Sequence, residues 1–338
     1  MNVENFAAWL RQTGHKVYKT KSSYWYTAGP RVLQAFPYHW LIEPDEKEIN
    51  DLLRGKNLLA LRYSTSLEAP KGVISYHVVY DHPEYSLELL DRRSRQNVNK
   101  GLKNCTVEPI SFTRLAEEGW QLESDTLDRQ SREGQHDSYS WKMLCRIAES
   151  IPGFEAWGAI VDGKLAASLL TFQQGDCCEM LYQQCRREYL NDRVNNALTY
   201  TVSQLMMQRS PVKMIFYALH SLDAPPNVDE YKFRMNYRAK PVRQRVVFHP
   251  FLSIFLNRFS YNLIDRLQKG NTRSHRLAKA KGMFQFYLQG LLPLEQQAWP
   301  GALEPEKEMI LHSLQPGLME EGSVQQEFSI LIKDQLTR

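Results

Sequence analysis

Long apolar runs are absent from this chain: no segment approaches the roughly 18 consecutive apolar residues that a bilayer-spanning helix requires. Residues 1–16 likewise lack the continuous apolar core of a secretory signal. A protein in solution is expected, with any membrane contact peripheral. Cysteine is scarce and unpatterned. Cys105, Cys145, Cys177, Cys178 and Cys185 form an odd set without Cys-x-x-Cys or histidine-rich spacing, which argues against a disulfide framework and a zinc site and for a reducing, cytoplasmic setting. Excess charge is missing too: 42 basic against 38 acidic residues leave +4, well short of a dedicated nucleic-acid coat. No Gly-x-Ser-x-Gly elbow, His-Glu-x-x-His pair or Walker-type glycine loop occurs, so hydrolase, zinc-peptidase and nucleotide-triphosphatase readings have no anchor.

What is present is the patterning of a globular protein. A length of 338 residues with 43% hydrophobic content accommodates one large or two medium domains. The stretch from Trp157 to Pro250 is the most informative. Asp162-Gly163 separates the apolar runs 156–161 and 165–172, and Asp-Gly supplies the positive φ angles of a two-residue hairpin turn. Gln174-Gly175-Asp176 closes a second hairpin onto the run 177–184. Val194, Leu198, Val202, Leu205 and Met206 then recur at helical spacing, with Asn191 or Asp192 available to cap the helix start. Residues 212–219 read as a buried strand, 227–235 as a short helix and 241–248 as a final strand, which gives the order β-β-β-α-β-α-β.

Upstream, the spacing predicts a helix over 2–12, an aromatic-rich extended segment over 16–41, a helix with an acidic first turn over 44–53, and strands over 58–63 and 73–80. Residues 86–103 form a basic helix with Arg92, Arg93, Arg95, Lys100 and Lys103 outward and Leu87, Leu90, Val98 and Leu102 available for burial. Two more helices cover 113–131 and 138–151. Beyond Pro250, Leu252, Leu256, Phe259, Leu263 and Leu267 make an amphipathic stripe, and Arg266, Lys269, Arg273, Arg276 and Lys279 follow without an acid among them. That basic run suits anionic lipid, glycan precursor or RNA, or an ordinary solvated face. Residues 301–338 are acidic by contrast.

The strand order, the tyrosine-bearing third strand, the helix entry Asn195-Asn196-Ala197-Leu198 and the segment Tyr231-Lys232-Phe233-Arg234 resemble the acyl-CoA N-acyltransferase (GNAT) superfamily, in its FemAB-like and polysaccharide-associated branch. The resemblance covers about residues 90–250; Asn236 and Ala239 stand near the position where that branch has glycine. It implies an α/β fold with a mixed sheet: residues 1–110 as a partial, degenerate GNAT-like half ending in the basic connecting helix, 111–250 as the acyltransferase domain, and 251–338 as a helical extension.

The resemblance also implies the chemistry. An acyl thioester would lie where the sheet splays into a V-shaped gap after the third strand, polarised by a backbone amide of that strand, and its pyrophosphate would meet the start of the next helix, where free N–H groups and the helix dipole favour an anion. Gln183, Arg186, Arg187, Arg193, Asn195 and Asn196 form that corner. The usual phosphate loop carries glycines, whereas residues 187–192 read Arg-Glu-Tyr-Leu-Asn-Asp. FemAB-like enzymes lack that loop too, and several take the acyl group from aminoacyl-tRNA, so acyl-CoA and aminoacyl-tRNA both stand as donors, with no metal. Direct attack by an amine needs a base and oxyanion donors but no covalent nucleophile. Glu179, Asp223 and Glu230 are candidate bases, and Tyr182 is a candidate proton donor to the leaving group. Lys232 and Arg234 would hold a phosphate or carboxylate of the substrate. His220 and Asp223 sit at a strand end, where ligand sites gather in open α/β sheets. Tyr24, Trp25, Tyr26, Phe36, Tyr38 and Trp40 could stack on sugars or bases, or pack as core. The activity implied is acyl or aminoacyl transfer to an amine of a small molecule or envelope precursor; the alternative is a catalytically silent GNAT-like binding module. A gap plugged by side chains, or a sheet wound in a different order, would overturn the transferase reading.

Overall fold

The computed structural model describes residues 3–129, 137–220, 229–253, 255–256, 265–266 and 275–314. Val3–Gln12 forms α1, whose Phe6, Ala7, Trp9 and Leu10 face inward at helical spacing. The aromatic-rich segment supplies three short strands, β1 (Val17–Lys19), β2 (Tyr24–Gly29) and β3 (Val32–Phe36). In α2 (Glu46–Gly55) the Asp45 carboxylate accepts from the Glu48 amide, a side-chain cap that satisfies an orphan donor. The strands β4 (Ala60–Thr65) and β5 (Val73–Tyr80) follow. The basic segment divides into a 3-10 turn, Leu87–Leu89, and α3 (Arg92–Asn104), capped by Asp91. Leu102 is exposed rather than buried, because α3 lies so close against the chain at Arg193 that a glycine, Gly101, occupies the buried position of that turn.

An unpredicted strand, β6 (Thr106–Pro109), ends the first stretch. The second stretch keeps the predicted order, with α4 (Phe112–Arg129), α5 (Ser138–Glu149), β7 (Phe154–Val161), β8 (Lys164–Gln174), β9 (Cys177–Cys185), α6 (Val194–Met207), β10 (Met214–Leu219), α7 (Glu230–Arg234) and β11 (Arg238–Phe248). Asp162 and Gly163 both take positive φ (49° and 77°), as the Asp-Gly turn requires, and Gly175 turns the second hairpin at 58°. The start of α6 differs from expectation. A 3-10 turn, Arg187–Tyr189, separates it from β9, and neither Asn191 nor Asp192 caps it. The N-cap is Arg193 in the left-handed region (φ 60°), with no side-chain cap; the Asp192 and Arg193 amides instead close turns onto the Tyr189 and Leu190 carbonyls. After Pro250 come α8 (Pro250–Ser253), α9 (His275–Gln289) and α10 (Lys307–Ser313). Asp223, Phe259, Leu263, Leu267, Lys269, Arg273 and residues 315–338 lie outside the described residues.

Eleven described strands form one sheet in the order β1-β2-β3-β4-β11-β5-β10-β9-β8-β7-β6. Strand β11 pairs antiparallel with both β4 and β5, so the last strand lies between two strands of the first stretch. Side-chain alternation divides the core. Ile74, Tyr76, Val78 and Tyr80 of β5 pack with α3 and α6 on one face, together with Met180 and Ile215. On the opposite face Phe6 and Trp9 of α1 join Phe36, Trp141, Phe154 and Phe172, with Tyr26, Tyr38 and Tyr182 beside them. Most of the aromatic cluster named above is therefore packed; Trp40 remains 38% exposed. Among the described residues no helix is long and apolar enough to cross a membrane.

Candidate active site

Strands β9 and β10 run parallel but pair over three positions alone, Met214 with Cys177, Ile215 with Cys178 and Phe216 with Glu179. Both strands continue, to Cys185 and Leu219, without pairing to one another. The cause is local. The ladder of β9 with β8 carries a bulge between Leu170 and Thr171, and the ladder of β10 with β5 shifts between Phe216 and Ala218. A bulge bends its strand and increases the twist. Each strand stays bonded to its outer neighbour while the two diverge, and the edges facing the fork carry backbone groups without a ladder partner.

On the α6 face, side chains span the fork. The Tyr217 hydroxyl donates to Gln183 Oε1, joining β10 to β9. Gln183 Nε2 donates to Thr199 Oγ1 at 2.8 Å, and the Tyr231 hydroxyl, from α7, donates to the Asn195 carbonyl at 2.9 Å and meets Thr199 Oγ1 at 2.8 Å. The expected open V is thus a parting of strands closed on this face by a hydrogen-bonded cluster. Burial drives the Tyr217 and Tyr231 phenols upward in pKa, so both remain protonated donors. The structure brings Gln183 and Asn195 together, with Thr199, Tyr217 and Tyr231 beside them. Asn196 turns to Met235, its Nδ2 3.4 Å from the sulfur.

On the opposite face stands Glu179, at the last paired position before the fork. It is 2% exposed; Oε1 lies 3.1 Å from His39 Nδ1, and Oε2 is buried without a hydrogen-bond partner. His39 follows β3, 140 residues away in sequence, and its ring lies 6.3 Å from that of Phe216. Tyr38 stacks on Phe216 at 6.4 Å, and its hydroxyl bonds that of Tyr26 at 2.9 Å. Tyr182 belongs to the same layer, edge-on to Trp141 at 5.8 Å, with its phenol also driven upward by burial. Sequence reasoning missed His39; the one signal was a histidine between Tyr38 and Trp40 in an otherwise aromatic segment.

Most of the remaining candidates are tied up elsewhere. The Arg187 guanidinium meets Asp128 at 3.0 Å and Asp125 at 3.6 Å, both on α4, and its amide also bonds Asp125. Arg186 bonds Gln121 at 2.7 Å and approaches Glu188 at 3.7 Å, while its Nε is buried without a partner. Lys232 sits 2.6 Å from Asp229 in a pair 13% and 8% exposed, with its ammonium 5.0 Å from the Tyr217 ring centre. Asp229 also accepts from the Tyr76 hydroxyl at 2.8 Å, and His220 stacks on Tyr76 at 4.4 Å. Burial lowers the His220 pKa to about 4. Arg234 and Glu230 pair with one another on the surface at 2.8 Å. Arg193 is exposed at the start of α6. On α3, whose Gly101 turn packs against Arg193, the side chains of Arg92, Arg93, Arg95, Lys100 and Lys103 are exposed and make no ion pair with any described residue.

No protein-family model matches the chain, and no curated protein sequence matches it. Solved structures do. FemX superposes with a TM-score of 0.52 at 10% identity, covering 74% of this chain and 92% of FemX. The C-terminal DUF2156 domain of an Agrobacterium fabrum protein described as a lysylphosphatidylglycerol synthetase gives 0.51 at 12% identity, covering 78% and 91%. A conserved Bacteroides thetaiotaomicron protein of unknown function gives 0.50 at 9%, covering 72% and 88%. Likeness at such identities is likeness of fold. The chain has a mixed α/β, GNAT-like fold, shared with FemX and with the DUF2156 domain.

Proposed function

We propose that this protein is an N-acyltransferase that moves an acyl or aminoacyl group onto an amine by direct attack in a ternary complex. The observation that carries the reading is the parting of β9 from β10 beyond Glu179 and Phe216, beside the start of α6, in a fold shared with FemX. A thioester or ester carbonyl against the freed edge of β9 meets backbone N–H donors, which hold an oxyanion without reorganising. Tyr217 and Tyr231, held protonated by burial, supply a proton to the leaving group. Glu179 serves the acceptor side, where the amine gives up its proton.

The donor's phosphates meet the start of α6 and Arg193, assisted by Lys100 and Lys103 of α3 rather than by Arg186 and Arg187, which α4 engages. Donor chemistry is acyl-CoA or aminoacyl-tRNA. The acceptor is the amine of a small metabolite, polysaccharide or envelope precursor, and the setting is cytoplasmic, in keeping with five free, buried thiols. The name of the Agrobacterium protein describes an aminoacyl group joined to a lipid, which is an acyl transfer too. A second reading, a silent binding module, is favoured by the Gln183–Tyr217 bridge across the fork and by the lack of glycine over residues 187–192.

Calorimetry with coenzyme A, acetyl-CoA and an aminoacyl-tRNA separates the readings. Transfer requires saturable binding of one of them, weakened about tenfold or more when Lys100→Ala and Arg193→Ala are combined, as loss of two phosphate-facing cations demands. Silence with all three sinks the transferase.

A further inference from the structure

We propose that His39 is the group that takes the proton from the acceptor amine, with Glu179 as the positioning residue behind it. The inference rests on the transferase reading and deepens it, because it brings a residue of the first 110 into the chemistry of the second stretch.

Three observations converge on the imidazole. Glu179 occupies the last position at which β9 pairs with β10, so its side chain stands at the apex of the fork on the face away from α6. Its carboxylate is 98% enclosed and, among the described residues, holds one hydrogen bond, from His39 Nδ1 at 3.1 Å; the second oxygen, buried and without a partner among them, is costly to keep in a fold unless it serves something. The His39 side chain is 11% exposed, more open than the carboxylate, and its other nitrogen, Nε2, bonds no described residue. Glu179 is too enclosed to meet a substrate amine. His39 is not.

With Nδ1–H donated to Glu179, Nε2 is the acceptor tautomer, and the carboxylate fixes the ring as well as the proton. Phe216 of β10 and Trp40 flank the ring, at 6.3 and 6.5 Å between ring centres. When Nε2 takes a proton the imidazolium becomes the counter-ion that Glu179 lacks, so the pair is stabilised at the moment of transfer rather than before it.

The step balances as follows. An acceptor arriving as an ammonium gives one proton to Nε2, and that proton passes to solvent. The freed lone pair attacks the acyl carbon, the C–N bond forms and the carbon–sulfur or carbon–oxygen bond to the carrier breaks. Tyr217 or Tyr231 protonates the departing thiolate or alkoxide, and the second nitrogen proton passes through solvent to the tyrosinate, leaving the amide and the free carrier.

Acyl transfer from acetyl-CoA and from an aminoacyl-tRNA to n-butylamine and to hydroxylamine tests this. Butylamine is protonated at neutral pH, whereas hydroxylamine is largely not and needs far less help from a base. His39→Gln and Glu179→Gln should lower transfer to butylamine by about a hundredfold or more, the span of a lost general base, and leave transfer to hydroxylamine within about threefold. Added imidazole should restore butylamine transfer in His39→Ala. An equal fall with both acceptors means a structural role and overturns the inference, as does an unchanged rate in the His39 variants. Wild-type transfer to hydroxylamine but not to butylamine overturns it as well. Wild-type silence with every donor and acceptor overturns the transferase reading, and this inference with it.

Discussion

His77 shows at the scale of one residue what the buried polar layer of this sheet costs. It is 3% exposed, its Nε2 lies 2.8 Å from the Ser64 hydroxyl, and burial pushes its pKa from 6.5 down to about 3. Between those values the unfolded chain binds a proton that the folded chain refuses, so stability is whole above about pH 6.5 and falls as pH drops toward 3. His220, lowered to about 4 by burial, adds to the loss over the upper part of that window. His77→Gln keeps a partner for Ser64 and removes the titration. Urea unfolding at pH 7 and pH 4 should therefore show a smaller drop for the variant than for the wild type, by a few kcal/mol; equal drops would mean that His77 titrates normally. Legibility at this scale was uneven. Glu179 stands out in the sequence as an acid inside an apolar strand. Its partner His39 does not, because a contact across 140 residues depends on how the sheet curves and leaves no local pattern.

Elements were far more legible, since each is set by periodicity and punctuation within a short window. Asp-Gly, Gly175 and the helical spacing of Val194 to Met206 define three hairpin strands and α6 without tertiary information. What escaped was the packing between elements. Hydropathy points Leu102 inward on α3, yet the helix turns Gly101 to the core instead. A Cβ there would lie 2.9 Å from Ala197 Cβ and 3.1 Å from the Arg193 carbonyl carbon, and closer still to the Arg193 oxygen. Two of these three atoms are backbone and cannot swing aside. Gly101→Ala gains helix propensity of about 1 kcal/mol but must push α3 off the start of α6. Overpacking of this kind costs about 1–3 kcal/mol, and the backbone clash puts this site at the upper end. The variant should lose net stability in chemical denaturation, and donor binding at the start of α6 should weaken with it. A variant more stable than wild type would show that α3 and α6 are less closely fitted than described.

At the scale of the whole molecule, two stretches that the sequence divides near residue 110 are joined through their strands. β11 completes its hydrogen bonds only between β4 and β5, and β10 needs β5 on its outer side once it has parted from β9. Helix α1 closes the core of the second stretch, with the Phe6 ring 5.1 Å from Phe172 and 6.2 Å from Phe154. Cutting the chain near residue 110 would strip β11 of both neighbours, leave β4, β5, β10 and β7 with open edges and open that aromatic core to water. Residues 1–110 and 111–338 produced separately should accordingly lack cooperative unfolding and aggregate, and should recover near-ultraviolet circular dichroism when refolded together. The intact chain should unfold in one transition over its described core, with tryptophan fluorescence and far-ultraviolet dichroism coincident. A fragment of residues 111–338 that melts cooperatively by itself would mean that β11 and β10 find other partners. The placement of His39 over Glu179 would then be an accident of contact between two independent bodies rather than a property of one sheet.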